Sequence, residues 1–269
     1  MQILTPETYY LPCGNALTHS KMKDFDVCPN YFHRKHYLGE VDSEDSAALT
    51  LGSIVDKLLS GESFDKKYHI VPRKNPSDKK AAEEGGYTLL NETEYKEIFE
   101  VASAVEVTDA FKTIQEKAKT QLILQVPRKI GEKFDSLAGK PDWQWVEGDT
   151  LFTVDLKTAT PTAMGRYYYH AQNYRYDSQL GNYEDLAAEL NPEIKKFRSF
   201  NLVAFKQKDV WSVELYEFER EMIEAGKAWI KDIIARIDAE REFKKYNPSF
   251  TAPVLLTRPV RVSEVEMVD

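Results

Sequence analysis

Cysteine is nearly absent from this chain. Cys13 and Cys28 are the two in 269 residues, too few for a disulfide framework and too few to supply a four-cysteine metal cluster from one chain, so reduced thiols are expected. Long apolar runs are missing as well. Nothing approaches the roughly 18 consecutive apolar residues of a membrane span, and the first residues show no basic segment followed by an apolar one; no membrane association and a cytoplasmic location are expected. Positive charge is in deficit: the formal net charge is −8. That argues against a protein whose whole surface coats nucleic acid, because non-specific affinity for DNA comes from neutralising phosphates with Lys and Arg. It is compatible with a local basic channel, and paired cations occur at Arg34 and Lys35, Arg73 and Lys74, Lys79 and Lys80, Arg128 and Lys129, and Lys195 and Lys196. Any one pair taken alone reads as solvated surface. A G-x-S-x-G nucleophile turn and a glycine-rich phosphate loop are also lacking, which argues against a serine hydrolase, an ATPase or a dinucleotide-dependent dehydrogenase.

What is present is a globular composition, 42% hydrophobic and 30% charged, enough for a packed core in one domain over residues 1–269. Residues 20–119 read as mainly helical. A helix is expected from Ser20, as N-cap, to about Tyr37, split in two by Pro29. A second runs near Leu51 to Leu59, a mobile loop occupies about Arg73 to Gly86, and helical periodicity resumes from Glu92 to about Ala118. Residues 120–245 form the expected core: a β-meander from QLILQV, LAGKPDWQWV and TLFTVDLKTA, a helix from about Arg166 to Leu190, strands FRSFNLVAF and VWSVELYEF, and a long helix from Glu219 to about Lys245. Residues 246–269, with several prolines among apolar residues, read as an extended tail.

One constellation carries chemistry. In TLFTVDLKTA the period-two alternation of a strand places Thr153, Asp155 and Lys157 on one face and Phe152, Val154 and Leu156 on the other. Asp142 belongs to the preceding strand, and a hairpin around Glu147, Gly148 and Asp149 folds it toward Asp155. Two carboxylates and an ammonium at one spot suit phosphodiester hydrolysis, since a hard divalent ion prefers carboxylate oxygen and can both activate water and stabilise charge on phosphorus. The competing reading is the polar side of a half-exposed strand. In the next helix Arg175, Gln179 and Tyr183 recur at i, i+4 and i+8 and share a face, either as a solvated stripe or as donors that hold a phosphate beside the metal.

Taken in order, Gly139-Lys140-Pro141-Asp142, Asp155-Leu156-Lys157 and Gln179 through Tyr183 resemble the G-x-x-D, D-x-K and Q-x-x-x-Y motifs of RecB-like nucleases of the PD-(D/E)XK superfamily, and RecE-like phage exonucleases beside them. The resemblance continues upstream in Cys28-Pro29-Asn30-Tyr31 and in Leu51 through Asp56. It implies an α/β (α+β) restriction-endonuclease-like core, a small central mixed sheet flanked by helices, with the helical N-terminal half closing a cleft. It implies a DNA exonuclease using Mg²⁺ or Mn²⁺, with Asp142, Asp155, Lys157, Gln179 and Tyr183 as catalytic residues. Asp56, Asp142, Asp155 and the Leu156 carbonyl would be metal ligands, and Lys140, Arg175, Gln179 and Tyr183 would contact DNA. It also implies a phage-type recombination setting, a single-strand annealing protein as partner, no membrane contact, and a ring-shaped homo-oligomer around the duplex. Two positions depart from the pattern: Asp56 stands where RecB-like enzymes carry a ligating His, and Gln121 and Gln125 are the candidates where RecE-like enzymes often carry a Glu. These departures motivate the alternative, an inactive nuclease-fold module that binds DNA or protein.

Two further groupings rank lower. Cys28, His33 and His36 have part of a zinc-ligand pattern but no second cysteine nearby, and packing explains them better. Tyr167, Tyr168, Tyr169, Tyr174 and Tyr176 could stack on unpaired bases, although core packing is the expected role of most. Trp143, opposite in face to Asp142, is expected to be buried.

Overall fold

The computed structural model describes residues 14–41, 47–61, 68–72, 78, 82, 84–85, 87–120, 122–159 and 166–240. The tail from 246, Gln121 and much of the Arg73–Gly86 loop lie outside the described residues. Strand β1 (Ala16–Thr18) leads into α1 (His19–Val27). The cap of α1 is Thr18 rather than Ser20. Pro29 then starts α2 (Pro29–Phe32), which continues as a π-helical turn over His33–Leu38; proline fits the first helical position because its missing N–H would have no partner there. The break expected at Pro29 is therefore present.

Helix α3 (Ala47–Leu59) is followed by a parallel pair not evident from the sequence, β2 (Tyr68–Val71) and β3 (Thr88–Asn91). Asn91 and Glu94 form a reciprocal capping box that starts α4 (Glu92–Glu106). The single helix expected as far as Ala118 is two: Thr108 caps α5 (Asp109–Lys117) with its own hydroxyl, satisfying a free helix-terminal N–H.

The expected meander is likewise divided. After the short β4 (Lys119–Thr120), strands β5 (Leu124–Ile130) and β6 (Phe134–Gly139) join β1 in a three-stranded sheet of order β1-β6-β5. Strands β7 (Trp143–Glu147) and β8 (Thr150–Ala159) belong, with β9 (Lys196–Gln207) and β10 (Val210–Glu217), to a five-stranded sheet of order β10-β9-β8-β7-β4. Lys140, Pro141 and Asp142 connect the sheets, so LAGKPDWQWV is two strands and not one. β7 and β8 form the expected hairpin, closing at Glu147 opposite Thr150, with Gly148 at φ 61° supplying the positive φ that a two-residue turn requires.

Helices α6 (Tyr167–Asn173) and α7 (Tyr176–Leu190) cross from β8 to β9 (Lys196–Gln207), which pairs parallel to β8; a parallel pair needs such a crossover. β10 (Val210–Glu217) and α8 (Arg220–Glu240) complete the described chain. One face of the large sheet (Val154, Leu156, Phe200, Leu202, Ala204) packs on α3, α4 and α5, and the other packs Val203 and Phe205 on Tyr167, Leu180 and Tyr183 of α6 and α7. Mixed sheet and flanking helices are the architecture expected, with more strand in the N-terminal half. No helix among the described residues is long and apolar enough to cross a membrane.

Candidate active site

The site lies where β6 ends and β8 loses its neighbour. β7 pairs with β8 only as far as Trp143 opposite Val154. Asp142 precedes the strand rather than lying on it, and its Oδ2 accepts the N–H of Leu156 at 2.6 Å, taking the place of a ladder partner on the open edge. In a strand the N–H and C=O of one residue point to the same edge, so the Leu156 carbonyl faces the Asp142 side. Trp143 is buried, as its position opposite Asp142 predicts.

Asp155 and Lys157 face α7. The reading of this strand as half-exposed fails, because sheet and helices cover both faces and Asp155 is only 2% exposed. Its Oδ2 pairs with the Lys157 ammonium. Its Oδ1 accepts from Gln179 Nε2 at 3.2 Å and lies 3.3 Å from the Tyr183 hydroxyl, whose one proton it shares with the Lys140 carbonyl. Gln179 also donates to the Tyr183 oxygen at 2.7 Å, and Tyr183 donates to the Lys140 carbonyl at 3.0 Å. One turn of α7 thus binds the end of β6 and the middle of β8 together. Gly139 permits it: a Cβ there would lie 2.7 Å from the Tyr183 ring.

Charge at the site is unbalanced. Burial pushes the Asp142 carboxyl well above the usual carboxylate range, and the Asp155 and Asp56 carboxylates push it the same way. Burial alone would pull the Lys157 ammonium down, but the Asp155 carboxylate, Tyr176 and Asp142 outweigh it and the pKa is raised. Asp155 and Asp142 act on one ammonium and Asp56 acts on Asp142, a crowding of carboxylates that a divalent cation would relieve. Among the described residues no group of three His, Cys, Asp or Glu is arranged to hold a metal ion. The oxygen donors brought together are Asp142, Asp155 and the Leu156 carbonyl, with Asp56 acting on Asp142 through space, and hard oxygen donors of this type suit Mg²⁺ or Mn²⁺.

Of the residues expected to contact DNA, Gln179 and Tyr183 sit in this cluster. Arg175 does not share their helical face: it is the cap of α7, at φ 58°, with its guanidinium 5.3 Å from the centre of the Trp229 ring. Lys140 is buried, and its carbonyl is the group that the Tyr183 hydroxyl meets. Gln125 lies on β5 and donates to Ser136 at 2.9 Å. The zinc pattern dissolves: His36 meets Asp24 at 2.8 Å, His33 stacks on Tyr37, and Cys28 is exposed and accepts the Tyr31 N–H.

Three residues near the cluster escaped sequence reasoning. Glu184, with a fully buried side chain, accepts from Ser199 and Arg220 at 2.7 Å and pairs with Lys227 at 3.1 Å, tying α7 to β9 and α8. His19 and Lys23 lie on α1 beside Lys157. His19 meets Ser178 Oγ at 2.8 Å, and burial, then Lys23 and Lys157, lower its pKa to about 3. Nothing in the local pattern of α1 distinguishes these two from ordinary helix residues.

A mixed sheet whose central hairpin presents Asp142 and Asp-x-Lys to an adjoining Gln-x-x-x-Tyr helix is the fold of the PD-(D/E)XK superfamily. The chain belongs to the family described as PDDEXK-like domain of unknown function (DUF3799), which it matches over residues 18–246. Its fold is similar to that of a crystal structure from Eubacterium rectale whose name carries a provisional exonuclease assignment, at 18% identity and a TM-score of 0.67, covering 99% of each chain. An alkaline exonuclease from Laribacter hongkongensis aligns more loosely, at 11% identity and a TM-score of 0.34, over 89% of this chain and 95% of that one. No curated protein matches the sequence significantly.

Proposed function

We propose that this chain is a metal-dependent deoxyribonuclease that hydrolyses phosphodiester bonds from a DNA end. The observation that carries the reading is the network centred on Asp155, in which Lys157, Gln179 and Tyr183 converge on one buried carboxylate beside Asp142. In this reading Asp142, Asp155 and the Leu156 carbonyl hold Mg²⁺ or Mn²⁺, with Asp56 adding charge from α3. A bound ion of this kind supplies an acidified water and a counter-charge for the phosphate. Lys157 orients the attacking water and offsets negative charge developing on the scissile phosphate. Gln179 and Tyr183 fix the Asp155 carboxylate so that it keeps one geometry through the reaction.

The negative exterior fits an enzyme that admits DNA locally, and the resemblance to RecE-like enzymes supports end-processing in phage-type recombination beside a single-strand annealing protein, with a homo-oligomer encircling the duplex. Metal binding separates this reading from an inactive module of the same fold. Calorimetric titration with Mn²⁺ should show binding to the wild type that is lost in Asp155→Ala and in Asp142→Ala. A wild type that takes up no Mn²⁺, or variants that bind as the wild type does, would leave the inactive module as the better account.

A further inference from the structure

Beyond the carboxylate cluster, α1 and the break between α6 and α7 bring cations and aromatic rings to the mouth of the site. Lys23 is half-buried, yet among the described residues it has no ion pair with a carboxylate. Its neighbours are satisfied: Lys21 donates to the carbonyls of Gly14 and Ala16 at 3.0 and 2.8 Å, and Lys35 pairs with Asp24 at 3.1 Å. Burial and then Lys157 lower the pKa of Lys23, and the Asp24 carboxylate offsets them only in part; a partly desolvated ammonium with no direct ion pair is unfavourable. Among the described residues Lys23 lies over the ring of Tyr174, at 5.7 Å from the centroid.

Tyr174 is 50% exposed. It lies nearly parallel to Tyr176, with centroids 5.8 Å apart and planes at 22°, and it packs on His170 at 4.5 Å. Tyr176 in turn lies 4.7 Å from the Lys157 ammonium. Lys23, Tyr174, Tyr176 and Lys157 therefore form a continuous path of cation, ring, ring and cation that leads to Asp155. Arg175 lies 5.3 Å from the centre of the Trp229 ring, which in turn packs 5.8 Å from His19, and Lys23, Lys157 and Arg175 each act electrostatically on His19. Alternating positive charge and aromatic surface suits an unpaired nucleic-acid strand, whose bases offer faces for stacking and whose phosphates need counter-charge; bases stacked within a duplex present no free face.

We propose that Tyr174 and Lys23 form a nucleotide subsite beside Lys157, in which an unpaired base stacks on the Tyr174 ring and Lys23 takes a neighbouring phosphate. The DNA strand entering the site is then single-stranded at that point. The proposal rests on the nuclease reading above for its assignment of Lys157, but its test is one of binding.

The probe is a short dye-labelled oligothymidylate, with a blunt hairpin duplex carrying the same dye, both followed by fluorescence anisotropy in EDTA. The wild type should prefer the single strand. Tyr174→Ala should weaken that binding by roughly tenfold, from the usual worth of one base stacked on an aromatic side chain, whereas Tyr174→Phe should retain it. Lys23→Gln should flatten the logarithmic dependence of affinity on salt by about 0.7, the slope of one phosphate contact on a single strand, while Tyr174→Ala leaves the slope unchanged. Wild-type affinity in Tyr174→Ala, no flattening in Lys23→Gln, preference for the duplex, or no binding of the oligonucleotide would each overturn the subsite. Cleavage is scored separately. Tyr174-dependent binding without cleavage would sink the nuclease reading and keep the subsite, and cleavage with unaltered binding in both variants would do the reverse.

Discussion

Replacing Gly139 with Ala tests the packing that sets the candidate site. A Cβ at this position would lie 2.7 and 2.9 Å from Cδ1 and Cε1 of Tyr183 and 3.1 Å from Cδ1 of Leu186, well inside the roughly 3.5 to 4.0 Å of a relaxed carbon contact. The Tyr183 ring has little room to withdraw, because it is buried and its hydroxyl is held by Gln179, Lys140 and Asp155 at 2.7, 3.0 and 3.3 Å. Overpacking of this kind costs about 1 to 3 kcal/mol, and loosening the hydroxyl contacts adds about 1 kcal/mol. A loss of about 2 to 4 kcal/mol is expected, or roughly 5 to 15 °C in Tm for a protein of this size. Urea and thermal unfolding followed by circular dichroism would measure it. Trimming the ring should relieve the clash, so Gly139→Ala made in a Tyr183→Leu background should add about 1 to 3 kcal/mol less than it does alone. A Gly139→Ala protein within about 0.5 kcal/mol of the wild type, the range of an ordinary surface change, would show that the close approach of helix and strand is not what holds Tyr183 in place.

Other outcomes follow from the same geometry. Glu184→Ala removes a buried carboxylate that answers Arg220 and Lys227; because Arg220 is 44% exposed at its side chain, a loss of about 3 kcal/mol, at the lower end for a broken buried pair, should appear in chemical unfolding. His19, neutral in the fold with its pKa lowered from 6.5 to about 3, contributes stability that is present above pH 6.5 and lost as pH falls toward 3, since the unfolded chain then binds the extra proton. Acidifying from pH 6.5 to about 5.5 should remove about 1 kcal/mol from the wild type and less from His19→Gln. Asp142, raised by burial and by its carboxylate neighbours, acts in the other direction: the fold favours its protonated form, so stability falls as pH rises through the unfolded value and toward the raised one. Asp142→Asn should therefore raise Tm in EDTA at neutral pH, and should not gain the further stabilisation, about 2.7 kcal/mol at a hundred times Kd, that Mn²⁺ gives the wild type.

The hairpin and the Gln179–Tyr183 turn were legible because each rests on a short period: alternation in TLFTVDLKTA, a turn at Glu147 to Asp149, and a spacing of four on a helix. The division of LAGKPDWQWV between two sheets was not, although Pro141 sits at the junction, because apolar residues on both sides support strand equally well. Arg175 was misplaced for a related reason. No glycine or proline marks the break between α6 and α7, which depends on a non-glycine residue at positive φ, stabilised by the contact of Ser178 Oγ with the Arg175 carbonyl at 2.9 Å. Lys23 was hidden most completely. In SKMKDFD each lysine has the appearance of solvated helix surface, and its significance comes from Tyr174 and Lys157, more than a hundred residues away in the chain.

The most direct test of the nuclease assignment is digestion of end-labelled linear DNA, single-stranded and duplex, with Mg²⁺, with Mn²⁺ and with EDTA, comparing the wild type with Lys157→Ala. Release of label that requires the metal and falls by at least about a hundredfold in the variant, the range of a lost charge-stabilising group, is the predicted result. Intact substrate under every metal, or equal release by the variant, would contradict the account.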